Sequence, residues 1–307
     1  MSIINRFKKV FEYGGIKEVF RKGTFYVIYK ISNIGTLRKV KKTKTGFGIN
    51  TSEKREKMIV VSMTTFPQRF DKIGIVIRSI LYQDLKPDKI VIYLDGETKY
   101  SDLTEEMISF EKDGVEYRFH NETLLKCHSK YLFAMLDYPD AIIVTTDDDV
   151  ILPHNWLRSL VDSYLKYPNA VSARRVHLMR YDNGGFLPYN HWFDQWRKEK
   201  KPSHLLFATG VGGVLYPPHC LMPEALNQEM IKKLSLNNDD IWLKCWEVMS
   251  GTPVVWVPNN EVALAQTENE QEVALSNTNV SEGRNDILFY NVLEYYGLKT
   301  SDFLYEK

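Results

Sequence analysis

Five short runs in the middle of the chain, MIVVSMTTF, KIVIYLD, VEYRFH, AIIVTTD and PVVWVP, constrain the fold most, because they are β-branched and largely non-alternating. A strand with one face in water alternates, whereas a strand covered on both faces does not. Between the first two runs, DKIGIVIRSILYQD places Ile73, Val76, Ile77, Ile80 and Leu81 on one helical stripe, so this region reads strand, helix, strand. The expectation is an α/β domain with a Rossmann-like, mostly parallel sheet and helices on both faces. Such sheets bind ligands beyond the carboxyl ends of their strands. There the sequence puts TTF after the first run, Asp95 after the second, and Asp147, Asp148 and Asp149 after the fourth.

Three adjacent carboxylates repel by roughly 1 kcal/mol per pair at about 4 Å even in water, so packing alone gives no reason to set them at the mouth of a core strand. Something positive is expected there. Thr65, Arg69 and Asp95 share the same strand ends; Arg suits a phosphate or a planar base, and Asp accepts from a base N–H. The plainer alternatives are an N-cap for Asp95 and a solvated Arg69. Lys126 and Lys130, in LLKCHSKYLFAML, stand four apart on one face just before the triplet's strand, either reaching a bound phosphate or forming the wet side of a helix. A second acidic pair, Asp239 and Asp240, opens SLNNDDIWLKCWEVMSG. That segment reads as a helix from Asn238 or Asp239 to Gly251, with Ile241, Trp242, Cys245, Val248 and Met249 inward. In an arbitrary protein Asp239 would cap it and Asp240 would favour its dipole.

With 307 residues, 44% hydrophobic and 13% aromatic, the chain can bury one large core or two small ones. Its net charge of +1 conceals an imbalance, +11 over residues 1–57 and −10 over the remainder. Residues 1–57 are expected to form an extension: a basic amphipathic helix in SIINRFKKVFEYGGIKEVFRK, then the linker TLRKVKKTKTGFG. The helix suits an anionic membrane surface or its own catalytic domain equally well. No run of about 18 apolar residues and no secretory pattern occur, and three cysteines without zinc-ligand spacing fit a reducing compartment. A cytoplasmic protein, at most peripheral on the inner face of a membrane, is expected. The catalytic domain should run over 58–258. From 259 to 307 a polar, lid-like stretch should precede a docking helix in NDILFYNVLEYYG, with Ile287, Leu288, Val292 and Tyr295 inward.

Taken together, SMTTFPQR, YLDGE, TTDDDV, and TGVGGVLYPP followed by NNDDIW resemble the glycosyltransferases of the GT-A fold, more narrowly the bacterial family-two-like enzymes of capsular or lipopolysaccharide synthesis. The resemblance covers residues 58 to about 258. It implies a nucleotide-diphosphate sugar as donor and a glycan or lipid-linked hydroxyl as acceptor. Mn²⁺ or Mg²⁺ would be held by Asp149 and Asp147, because a hard cation answers the charge of the leaving diphosphate. Asp147 and Asp148 would share metal and ribose contacts, and Thr65, Arg69, Asp95 and Lys130 would line the nucleotide. Asp240 aligns with the family's general base, Asp239 standing where Glu is commoner; a base opposite the leaving group implies inversion. Gly212 and Gly213 would allow close backbone approach to a sugar. Tyr189 and Trp192, from YDNGGFLPYNHWFDQW, and Trp242, where the family more often has an acid, would complete the acceptor side, with core packing the competing account for part of these rings.

Two other classes stay in view. A sugar nucleotidyltransferase would carry a Gly-rich, basic triphosphate loop after its first strand, and TTFPQRF is no such loop. A non-catalytic glycan-binding or assembly subunit would need neither acidic pair. No nucleic-acid partner is expected.

Overall fold

The computed structural model describes residues 46–120, 124–259, 265, 266 and 283–304, with positions 24, 35 and 38–42 before them. The basic helix expected over residues 3–20 and most of the polar stretch after 259 lie outside the described residues. In chain order the elements are β1 (Ile59–Thr64), α1 (Phe70–Leu81), β2 (Lys89–Asp95), α2 (Glu105–Ser109), β3 (Val115–His120), α3 (Ser129–Asp137), β4 (Ile142–Thr145), β5 (Val150–Ile151) and α4 (Trp156–Lys166). Then come β6 (Val171–Ala173), β7 (Val176–Leu178), β8 (Tyr181–Asp182), β9 (Gly185–Phe186), β10 (Leu206–Ala208), β11 (Val214–Tyr216), α5 (Gln228–Leu234), α6 (Asp239–Met249), β12 (Val254–Trp256), β13 (Ala265–Gln266) and α7 (Arg284–Tyr296).

Seven strands form the main sheet in the order β12-β6-β11-β4-β1-β2-β3. All are parallel except β11, which runs antiparallel to both β4 and β6. The five runs singled out in the sequence are β1, β2, β3, β4 and β12. Except in the edge strand β3, which alternates, their lack of alternation has the expected cause: Val61, Ile92 and Val144 pack with Ile73, Ile77, Ile80, Trp156 and Leu160 of α1 and α4 on one face. Val60, Val91 and Ile143 pack with Tyr131, Leu132, Trp242, Trp246 and Phe289 of α3, α6 and α7 on the other. Each such side chain contributes about 1.5–3 kcal/mol by burial, which favours apolar residues on both faces. The α/β class with helices on both sides is therefore the one observed.

Strand β11 was not singled out in the sequence, and its direction matters. Val214, its first residue, pairs with Thr145, the last of β4. The segment entering β11, Thr209–Gly213, therefore arrives at the edge where β1, β2 and β4 end. The closing helix α7 docks as expected but rotated: its buried residues are Asn285, Phe289, Val292 and Leu293, while Ile287 and Tyr295 are 60% and 50% exposed. The segment is apolar around more than one stripe, so periodicity alone does not select the side that meets α6. No helix among the described residues is long and apolar enough to cross a membrane.

Candidate functional site

The end of β4 sorts the three aspartates by their partners. Asp148 is buried; Thr65 Oγ1 donates to its Oδ2 at 2.7 Å, and Arg69, leading into α1, pairs with its Oδ1. Burial pushes the Asp148 carboxyl above the usual range, and Arg69 and Thr65 offset part of that. Thr65, Arg69 and Asp148 thus engage one another, fastening the end of β4 to the β1–α1 turn. Asp147 and Asp149 stay more open, with side chains 30% and 16% exposed; Asp149 lies 3.5 Å from Arg69. Asp95 closes β2, and its side chain lies outside the described residues.

Lys130 connects this edge to the second acidic pair. In the first turn of α3, with its side chain only 5% exposed, it places Nζ 2.7 Å from Asp147 Oδ1 and 2.9 Å from Asp239 Oδ2. Burial alone would lower its pKa, but Asp147 and Asp239 outweigh burial and hold it well above the usual lysine value. Ser62 Oγ donates to the Lys130 carbonyl, seating α3 on β1. His128, fully buried, accepts from the Tyr131 hydroxyl at Nδ1 (2.9 Å) and donates from Nε2 to the Ser235 carbonyl (2.8 Å), tying α3 to the turn before α6. This tautomer follows from the carbonyl partner, which only accepts. Burial holds the His128 pKa down at about 4, so the ring is neutral at physiological pH. Lys126 does not share a helical face with Lys130: it adopts φ 54° in a 3₁₀ turn and donates to Asn237 Oδ1 at 2.6 Å.

Helix α6 starts at the second pair. Its N-cap is Asn238, whose Oδ1 accepts from the Ile241 N–H at 3.0 Å, so Asp239 and Asp240 are released from capping. Burial acts to raise Asp239, but Lys130 more than reverses it and leaves the carboxyl below the usual range. Burial and the neighbouring Asp239 charge push Asp240 well above it. Two adjacent carboxyls are thus driven apart by their surroundings. The Gly210 N–H donates to Asp240 Oδ1 at 2.9 Å. A Cβ on Gly210 would stand 3.1 Å from Lys130 Nζ, 3.4 Å from Asp240 Oδ1 and 3.5 Å from Asp147 Oδ1. One ammonium, two carboxylates and one amide therefore converge on a single point.

Several expected acceptor contacts are corrected by packing. Trp242 is 0% exposed, with its indole donating to the Ala225 carbonyl at 2.8 Å. Trp192 is buried, donates to the Leu187 carbonyl at 2.8 Å and packs on Phe207 and Phe289. Both rings belong to the core. Gly213, at φ +85°, would place a Cβ 2.6 Å from Trp156 Cζ2, and Gly212 would place one 3.0 Å from the Arg175 backbone. Their lack of a side chain is required by close approach to Trp156 and Arg175; Trp156 also donates to the Gly212 carbonyl at 3.0 Å. Tyr189 stays partly exposed, its phenol raised by burial and by the Asp240 charge.

Residues unmarked by the sequence complete the surroundings. Arg175 meets Thr209 Oγ1 and Asp194, each at 3.3 Å. From α7, Asn285 accepts from Asn238 Nδ2 at 2.9 Å, and Asp286 accepts from the Tyr189 N–H at 2.7 Å. Only the Gly-rich run hinted at Gly210; nothing in the sequence near Asn285 signals its partner. Among the described residues no three His, Cys, Asp or Glu are grouped to hold a metal. The protein alone offers the carboxylate pair Asp147 and Asp149. One or two carboxylates are what a hard cation takes from a protein when substrate phosphates complete its shell, so the donor set fits.

Comparison with known proteins assigns the chain to a family. Residues 61–229 match the glycosyl transferase family 2 profile, over half of the chain, and the protein belongs to that family. A glucosyl-dolichyl phosphate glucuronosyltransferase of Haloferax volcanii is 28% identical over 117 residues, 38% of this chain and 37% of that relative's length. Among solved structures, a mannosyltransferase from Pyrobaculum calidifontis in complex with GDP-Man and Mn²⁺ is 13% identical with a TM-score of 0.40, covering 92% of this chain and 84% of that one. A UTP-bound UGPase from Acinetobacter baumannii is 12% identical, also at 0.40, over 81% of this chain and 97% of that one. Scores this low carry no argument for either activity.

Proposed function

We propose that the protein transfers a glycosyl group from a nucleotide-diphosphate sugar to a hydroxyl of a cell-surface glycan or a lipid-linked acceptor, with inversion at the anomeric carbon. The observation that carries this reading is the opposed pair Asp239 and Asp240, set by Lys130 directly beside Asp147. Asp240, with its carboxyl raised, is the better matched to remove a proton from an attacking hydroxyl, since a base is most effective when its pKa approaches the working pH. Asp239, held ionised by Lys130, keeps that ammonium in place and adds the charge that raises Asp240. The Gly210 N–H orients the accepting oxygen. Lys130 also stands where a donor diphosphate would lie if the nucleotide occupies the edge beyond β1 and β4. Asp147 and Asp149 would hold Mn²⁺ or Mg²⁺, which when bound offsets the charge gathering on the leaving diphosphate. Thr65, Arg69 and Asp148 act by fixing the strand end that carries those two carboxylates.

Nucleoside-diphosphate release from a panel of nucleotide sugars, with Mn²⁺ and with a chelator, tests the reading. Wild type is expected to release the diphosphate with metal, and Asp149→Ala to lose metal-dependent donor binding in titration calorimetry while keeping its melting temperature. Donor affinity unchanged by both chelator and substitution would remove the metal assignment. Pyrophosphate formation from a nucleoside triphosphate and a sugar phosphate would replace transfer by nucleotidyl chemistry.

A further inference from the structure

Two rings of the aromatic segment after β9, Phe193 and Trp196, pack against each other at the surface. Phe193 and Trp196 stack with ring centroids 5.2 Å apart and planes 23° from parallel. The Arg180 guanidinium sits over Phe193 at 4.7 Å, and the Lys198 ammonium over Trp196 at 5.2 Å. With each ring covered by the other and by a cation, a sugar or a base finds no face to stack on. What the stack presents is an apolar edge, Phe193 being 44% exposed, flanked by cations.

The charges around it are sorted. Arg180, Arg197, Lys198, Lys200 and Lys201 are exposed. The two acids of the segment are engaged locally: Asp194 pairs with Arg175 at 3.3 Å, and Glu199 accepts from the backbone N–H groups of Lys200 and Lys201 at 3.0 and 3.1 Å. The segment is also held in place, since Phe193 exchanges backbone hydrogen bonds with Leu178 at 3.0 Å each and the Trp196 N–H donates to the Val176 carbonyl at 2.8 Å. Through Asp194, Arg175 and Thr209 it adjoins Gly210, and so borders the Asp240 side of the cleft.

We propose that this stack, with Lys198, Lys200 and Lys201, docks the protein on an anionic membrane surface, with the Asp240 side of the cleft toward the lipid. Aromatic edges with an apolar body, and long cationic side chains that extend their charge outward, suit the boundary between headgroups and acyl chains. The surface is built from residues other than those of the basic N-terminal segment and does not depend on the glycosyl-transfer reading. A soluble polyanion would satisfy the cations but make no use of the Phe193 edge, so the membrane is the better match.

The test is vesicle co-sedimentation of the full chain, using phosphatidylcholine vesicles with and without phosphatidylglycerol, dextran sulfate as the soluble polyanion, and the Lys198→Gln/Lys200→Gln/Lys201→Gln and Phe193→Ala variants. Any contribution of the N-terminal segment is common to all chains, so differences between them report on the docking surface. Wild type is expected to prefer the anionic vesicles. The triple variant should partition on the order of a hundredfold more weakly, about fivefold per charge removed. Phe193→Ala should weaken binding several-fold even in salt that screens the lysines. Equal partitioning of the triple variant and wild type would overturn the proposal. So would dextran sulfate binding as tightly as the vesicles with no effect of Phe193→Ala, which would mark a soluble-polyanion site.

Discussion

Replacing Asp240 by Asn should slow turnover by roughly 10²- to 10⁴-fold and at the same time stabilise the protein, a combination that a purely structural role for this residue does not produce. The Gly210 N–H, 2.9 Å from Asp240 Oδ1, can still donate to the amide oxygen of Asn, so the local geometry is kept. Loss of the proton acceptor removes the 10²- to 10⁴-fold that general-base catalysis supplies, about 3–5 kcal/mol of barrier. The stability term follows from the cluster around Gly210. The Asp147 and Asp240 oxygens and Lys130 Nζ all lie within 3.5 Å of one point, so no two are more than about 7 Å apart. At that distance and an effective dielectric of about 20, the Asp147–Asp240 repulsion is about 2 kcal/mol and the attraction to Lys130 about as large. These roughly cancel. The repulsion from Asp239 and the burial of the charge are left uncompensated, so removing the charge should gain about 1–2 kcal/mol, at roughly 2–4 °C of melting temperature per kcal/mol. The sign depends on pH. The folded-state pKa of Asp240 is raised, so its contribution is most favourable below the unfolded-state value and is lost as pH rises through the folded-state value. The Asp240→Asn advantage should therefore be small in acid and grow toward alkaline pH, while the acid limb of the wild-type rate disappears in the variant. Differential scanning fluorimetry across pH, beside nucleoside-diphosphate release, measures both. A variant less stable than wild type at alkaline pH, or a rate within tenfold of wild type, would refute the reasoning; a collapsed rate in Asp239→Asn beside an active Asp240→Asn would move the base to Asp239.

Gly213→Ala would set a methyl 2.6 Å from the buried Trp156 ring at a φ of +85°, and should lower the urea midpoint by the equivalent of about 3 kcal/mol; weaker acceptor binding with unchanged stability would instead restore a role in sugar contact. Asn285→Ala leaves Asn238 Nδ2 without its 2.9 Å partner, costs about 1–2 kcal/mol, and should raise the acceptor KM and shift the acid limb of the rate. Asn285→Asp, which can accept the same bond, should restore both, and an unchanged pH profile in Asn285→Ala would rule out a positioning role.

What was legible in the sequence depended on how local its cause is. The strands β1 to β4 and β12 and the helix α1 follow from apolar pattern, and Asn238 and Gly251 bracket α6 through cap chemistry that spans a few residues. The convergence on Gly210 is a different matter. It requires β11 to run against its neighbours, and a three-residue apolar run carries no sign of direction. The DDD triplet suggested a site but not its sorting, because Asp148 turns inward only on account of Thr65 and Arg69, some eighty residues earlier. The rings expected on the acceptor side misled for a related reason. Trp192 and Trp242 satisfy their N–H groups on backbone carbonyls within the core, and composition does not distinguish a ring that packs from one that binds.

The position of Lys130 has an evolutionary consequence. Asp147 and Asp239, on separate elements, share one ammonium at 2.7 and 2.9 Å. A substitution on either side releases Lys130 toward the other, and effects among groups that share a partner do not add. Variation at the end of β4 and at the start of α6 is therefore epistatic: under the glycosyl-transfer proposal, a change that adapts this scaffold to a new donor alters the background on which any change in acceptor preference is selected. The order in which the two arise then restricts which combinations can be reached.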